Sequence, residues 1–83
     1  FEVILTPGHT VGGVSYLSGE SLFSGDTLFA GAVGRTDMPG GSLKALKKSL
    51  KRLIALPNET KVYPGHGDFT TVGYEKENNM FVW

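Results

Sequence analysis

Two short turns constrain this chain more than anything else in it: Thr6-Pro7-Gly8-His9-Thr10 and Tyr63-Pro64-Gly65-His66-Gly67. Each follows an apolar run, Val3-Ile4-Leu5 or Val62-Tyr63, and together they hold both histidines of the sequence. Proline fixes its own φ and has no N–H to continue a ladder. The glycine after it reaches conformations closed to other residues. A strand entering such a turn stops abruptly and presents an imidazole at its end. A third strand, Leu22-Phe23-Ser24, halts at Gly25-Asp26-Thr27 and presents a carboxylate in the same manner.

The rest of the chain reads as the frame for these strand ends. Phe1 to Leu5 is expected to be a buried strand, since β-branched and aromatic residues fill it. Val14 to Leu17 and Leu22 to Ser24 read as a hairpin closed by Ser18-Gly19-Glu20-Ser21. Leu28 to Gly41 reads as a long loop of small residues, and a loop of that length in a compact domain is more often functional than idle. Ser42 caps a helix expected from about Leu43 to Ala55, with Leu43, Leu46, Leu50, Leu53 and Ile54 on one face. Lys44, Lys47, Lys48 and Lys51 lie on the opposite face and read as solvated, and Pro57-Asn58 stops the helix. Lys61 to Tyr63 is a strand, Thr70 to Asn78 a short helix, and Met80-Phe81-Val82-Trp83 is apolar enough to pack.

With 83 residues there is room for one small domain, and 40% hydrophobic content supports a packed core over disorder. Eight basic residues balance eight acidic ones, which gives no ground for a nucleic-acid or anionic-membrane partner. No apolar run has the length of a transmembrane helix and none resembles a signal peptide. There is no cysteine, so a metal here takes nitrogen and oxygen ligands, and the composition fits a cytoplasmic location.

Imidazole and carboxylate suit zinc, iron, manganese and related ions. His9, Asp26 and His66 stand seventeen and forty residues apart, so they meet only if their strands end on one edge of a sheet. A lone histidine in a turn, or an Asp after Gly, is commonly structural. Residue types alone leave metal binding and simple turn chemistry both open. Gly-x-Ser-x-Gly and Walker-type loops are absent, so no rival catalytic motif competes.

Taken in order, Thr6-Pro7-Gly8-His9-Thr10, Ser24-Gly25-Asp26-Thr27 and Tyr63-Pro64-Gly65-His66-Gly67 resemble the last three metal-binding motifs of the metallo-β-lactamase superfamily. The stretch from Leu28 to Asp37, with Gly73-Tyr74-Glu75 and Asn78-Asn79-Met80-Phe81, is similar to its glyoxalase II-like (hydroxyacylglutathione hydrolase-like) branch. The resemblance implies an α/β fold (α+β in some schemes), with residues 1–83 as one partial domain, the C-terminal half of an αββα sandwich. It implies that His9 ligates a first metal, Asp26 bridges both, and His66 ligates the second. The remaining family ligands come from a His-x-His-x-Asp-His motif that this sequence does not contain. The chain is therefore expected to be a piece of a longer enzyme, inactive alone, that pairs with a second copy or with an N-terminal half.

The same resemblance implies a binuclear zinc hydrolase, iron or manganese also being possible. A metal-held hydroxide would attack the carbonyl of a small-molecule thioester or ester. Thr10 and Thr27 are expected to orient the ligands by hydrogen bonding. Arg35 either binds an anionic substrate or pairs with Asp37, the second being favoured. Two rival readings remain: a non-haem iron persulfide dioxygenase, in which the ligand matching His66 is dispensable, and a non-catalytic half-domain that self-associates.

Overall fold

A computed structural model describes residues 1–83. In chain order its elements are β1 (Glu2–Leu5), β2 (Val14–Ser18), β3 (Ser21–Gly25), β4 (Leu28–Phe29), β5 (Ala32–Val33) and α1 (Leu43–Ile54). There follow β6 (Lys61–Pro64), β7 (Thr70–Thr71), α2 (Val72–Asn78) and a 3-10 turn at Met80–Val82. Five strands form one sheet in the order β1-β2-β3-β6-β7, and β4 pairs with β5 in a small separate ladder.

Direction within the sheet decides where the site lies. β1 is antiparallel to β2 and β2 to β3, whereas β3 and β6 are parallel. So β1, β3 and β6 all run the same way, and the turns that follow them emerge at one edge. The parallel pair needs a crossover, and the segment from β4 through α1 supplies it. Open sheets gather ligands beyond the carboxyl ends of their strands for this reason.

The two faces of the sheet differ sharply. Ile4, Leu17, Leu22 and Val62 point to one side, where Leu46, Leu50, Leu53 and Ile54 of α1 meet them, joined by Leu28, Val72 and Val82. The apolar positions of α1 follow i, i+4, i+7, i+8, so the helix lays one stripe on the sheet. Its start is set by Ser42, whose Oγ accepts from the N–H of Ala45 at 3.2 Å. Leu43, expected on that stripe, is 58% exposed. The four lysines are exposed, as expected.

The other face carries Val3, Leu5, Tyr16, Phe23 and Tyr63, with Phe1 and Phe69 at its margins. Phe23 stacks on Tyr63 at 5.4 Å, and Tyr63 on Phe69 at 5.9 Å. Here the expectation for Phe1 to Leu5 is corrected. The strand forms, but only Ile4 is even partly buried, because β1 is an edge strand and nothing within this chain covers its second face.

Two further expectations are modified. The stretch from Leu28 to Gly41 is not loop throughout, since it begins with the β4–β5 hairpin. The segment expected as helix from Thr70 first spends two residues pairing with β6 before α2 begins, capped by Thr71. In the apolar tail only Val82 is buried, while Met80, Phe81 and Trp83 stay exposed. No helix of the chain is long and apolar enough to cross a membrane.

Candidate metal centre

The Pro7-Gly8-His9 turn is held from below by α1. The amide of Ser42 donates to the Gly8 carbonyl at 2.7 Å, and the Ser49 hydroxyl donates to the Pro7 carbonyl at 2.6 Å. Arg52 reaches the Leu5 carbonyl at 2.6 Å. Gly8 adopts φ +145°, and a Cβ there would collide with the backbone of Leu46. The turn thus sits directly on the helix. The other two strand ends are zipped together: Gly65 N–H donates to the Gly25 carbonyl at 2.8 Å, which sets Asp26 beside His66.

As the topology requires, His9, Asp26 and His66 share one cleft of about 350 Å³, completed by Phe29, Val33, Gly34 and Arg35. Asp26 stands between the imidazoles. Its Oδ2 is 3.8 Å from His9 Nε2, and its Oδ1 is 3.4 Å from His66 Nε2. Both separations exceed a hydrogen bond. Two donors on one tetrahedral ion, each about 2.0–2.2 Å from it, lie about 3.4 Å apart. Each separation is therefore close to that of two donors sharing one ion, and the carboxylate offers a different oxygen to each imidazole. No three His, Asp or Glu side chains close on a single point. The arrangement is two half-sites that share Asp26, with one imidazole and one carboxylate oxygen apiece, and these donors fit hard or borderline divalent ions.

His9 is the better ordered imidazole. Its Nδ1 donates to the Arg35 carbonyl at 2.8 Å, which places the proton on Nδ1 and leaves the Nε2 lone pair facing Asp26. Gly34 makes that bond possible, because a Cβ there would strike the Asp26 carbonyl and crowd His9. His66 is far more open, with 80% of its side chain exposed and the Phe29 ring, 6.2 Å away, as its aromatic neighbour.

The threonines expected to orient ligands do other work. Thr27 is buried and donates to Thr6 Oγ1 at 3.3 Å, which is 3.0 Å from Ser15 Oγ, forming a hydroxyl chain inside the sheet. Thr10 is exposed, and its carbonyl accepts from Gly8 N–H. The orienting group is the main-chain carbonyl of Arg35, which has no signature in a sequence. Gly34, Phe29 and Val33 carry no individual signature there, beyond lying in the stretch from Leu28 to Asp37. A wider depression of 550 Å³, lined by Phe1, Tyr16, Ser18 and Phe23 on the uncovered face, holds neither histidine nor carboxylate.

The Arg35 side chain pairs with Asp37 through two bonds, of 2.7 and 2.9 Å. The hydrogen bond from Arg35 holds the Asp37 carboxyl below the usual carboxylate range, and the guanidinium is correspondingly raised. A depressed carboxylate stabilises the fold above its ordinary titration range, and that contribution disappears as pH falls through the lowered value. Both groups are open to solvent, so the effect is small and screened by salt. Carboxyl NMR should find Asp37 titrating below an ordinary Asp, and Arg35→Ala should restore the ordinary value. The same substitution should leave the His9 ring signals in place, because it keeps the carbonyl.

Comparison with known proteins bears on this geometry. A family model described as the metallo-beta-lactamase superfamily matches residues 1–66. A probable metallo-hydrolase of Streptococcus pyogenes is 45% identical over 84 residues, covering 98% of this chain and 36% of that protein. Hydroxyacylglutathione hydrolase GloC of Haemophilus influenzae is 40% identical over 85 residues, covering 99% of this chain and 40% of that one. The crystal structure of TTHA1623 in a di-iron-bound form superposes with a TM-score of 0.95 at 53% identity, over 98% of this chain and 42% of the other. The chain thus spans about two fifths of the length of the relatives it matches.

Proposed function

This chain belongs to the metallo-beta-lactamase superfamily, and from that premise we propose that it forms one side of the two-metal site of a hydrolase acting on a thioester or related ester. The observation that carries the proposal is the division of Asp26, one oxygen toward each imidazole at about the spacing of two donors sharing an ion. In this reading Asp26 with His9 Nε2 would hold one ion, and Asp26 with His66 Nε2 the other. Bound there, the ions would supply a nucleophile at neutral pH and polarise the substrate carbonyl.

The chain's own residues have distinct tasks. The Arg35 carbonyl keeps His9 in the tautomer that coordinates. Phe29 and Val33 give the cleft an apolar wall against which an acyl group can lie. Relatives named as a metallo-hydrolase and as a hydroxyacylglutathione hydrolase support the thioester reading. A second reading, iron in place of zinc on the same ligands, is favoured by the di-iron form of TTHA1623.

Two protein donors per ion fall short of the three that catalytic zinc takes. We assign the remainder to a second polypeptide layer over the aromatic face of the sheet, either more of a longer chain or a second copy. Phe1, Val3, Leu5, Tyr16 and Phe23 all stand exposed on that face, and clustered exposed apolar side chains mark interaction surfaces. For residues 1–83 alone, light scattering should report a species heavier than one chain. A monodisperse monomer would remove self-association from the reading.

The direct test is thermal unfolding with and without metal. With free zinc at ten times its Kd, the native state should gain about 1.4 kcal/mol, raising Tm by about 5 °C or more. Asp26→Ala should lose that response while melting normally without metal. Equal responses from the two proteins, or none from the wild type, would overturn the assignment. Running the same comparison with ferrous iron under argon, alongside metal analysis of the purified protein, decides between zinc and iron.

A further inference from the structure

The C-terminal helix buries a carboxylate that none of the proposed ligands touches. Glu75 is fully buried, whereas Glu77 two residues on is exposed. Its Oε1 accepts from Gly31 N–H at 2.8 Å and from Asn79 Nδ2 at 2.9 Å, and its Oε2 accepts from Thr70 Oγ1 at 2.7 Å. Asn79 Nδ2 also donates to the Ala32 carbonyl at 3.1 Å. A carboxylate is brought this far from water only when its oxygens are hydrogen-bonded, and here three donors serve the two oxygens.

What those donors belong to matters more than their number. Gly31 is the tip of the β4–β5 hairpin, which carries Phe29 and Val33 and leads through Gly34 to the carbonyl that holds His9. Thr70 begins β7 and closes the short segment that starts at His66. One carboxylate therefore fastens both flanks of the cleft, the hairpin by one oxygen and the His66 segment by the other. The Phe29 and His66 rings, 6.2 Å apart, face each other across that span.

We propose that Glu75 is a positioning residue for the cleft, setting the separation between the Phe29 wall and His66 by tying Gly31 to Thr70. The inference rests on reading the cleft as a metal site, since that reading gives the separation its consequence. Spacing errors of an ångström are costly where two groups must meet one ligand. Glu75→Gln keeps the reach of the side chain. Its oxygen still accepts from Gly31 and Asn79, and its amide donates to Thr70 Oγ1, which is able to accept. Glu75→Asp is shorter by one carbon–carbon bond, about 1.5 Å, and fails to span the two flanks. Thr70→Val cuts the tie on the His66 side alone.

NMR of the 83-residue chain tests this first without metal. The wild type and Glu75→Gln should show a cross-relaxation contact between the Phe29 and His66 rings. In Glu75→Asp, still folded by its Leu50 methyl signals, that contact should fall at least threefold. Thr70→Val should shift the His66 ring signals and leave those of His9 in place, an asymmetry that a merely stabilising role does not produce. Zinc added afterwards should bind Glu75→Asp at least tenfold more weakly than the wild type. Wild-type ring contacts in both Glu75→Asp and Thr70→Val would overturn the proposal. If Glu75→Asp fails to fold, Thr70→Val decides alone. Should the wild type ignore zinc while the ring contacts change as expected, the metal reading falls and the positioning role stands.

Discussion

Gly8→Ala is expected to destabilise the chain by about 2–6 kcal/mol, combining a backbone conformation hostile to side chains with overpacking against a helix. Gly8 holds φ +145°, and its missing Cβ is the space into which the Leu46 backbone fits. An alanine must lift the turn from α1, which strains the 2.7 Å bond from Ser42 N–H to the Gly8 carbonyl and the 2.6 Å bond from Ser49 to Pro7. Because His9 is the next residue, the imidazole moves with the turn. Total stability for a domain of this length is on the order of 4–12 kcal/mol, so the substitution should remove a large share of it. Gly12→Ala is the control, since nothing lies within 4 Å of a Cβ there. Urea unfolding of the two variants measures the difference. Equal midpoints would mean that the turn does not rest on the helix as described.

Leu50→Ala should cost about 2–5 kcal/mol, the range for truncating a fully buried leucine that leaves a cavity behind. Leu50 is 0% exposed at the centre of the α1 stripe. Leu43→Ala, in the same helix but 58% exposed, should stay within about 0.5 kcal/mol. Helical spacing treats these two leucines alike, so the contrast isolates what packing adds to periodicity. Unfolding by urea at an unchanged m-value reads it out. A comparable loss in both variants would place the first turn of α1 against a covering layer in solution.

Residues with a local signature were readable in the sequence. Proline and glycine end strands through their own φ restrictions, so the strand ends presenting His9, Asp26 and His66 could be located from residue types alone. Ser42 as a cap and the leucines of α1 were legible for a similar reason, because capping and helical periodicity act within a few residues. Roles that depend on what lies opposite were not legible. The apolar run from Phe1 to Leu5 read as buried, yet burial needs a covering layer and β1 has one on a single side. Glu75 sits in the polar run Tyr74-Glu75-Lys76-Glu77, expected only as part of a short helix, and the approach of Gly31, Thr70 and Asn79 is what places it in the core. Thr10 and Thr27 adjoin the candidate ligands in sequence, but a neighbour in sequence points elsewhere when its strand or turn does. The orienting carbonyl of Arg35 belongs to the main chain, which every residue possesses.

By itself, then, the sequence determined which three side chains stand at strand ends and what kind of ion such nitrogen and oxygen donors suit. Tertiary structure decided that they meet, because β1, β3 and β6 run in one direction and release their turns at one edge. It also decided how they meet, with Asp26 divided between two imidazoles 3.8 and 3.4 Å away. Turn chemistry acts over a few bonds, whereas strand direction and register are settled by pairing across the whole sheet, and distances between side chains forty residues apart follow from the second alone.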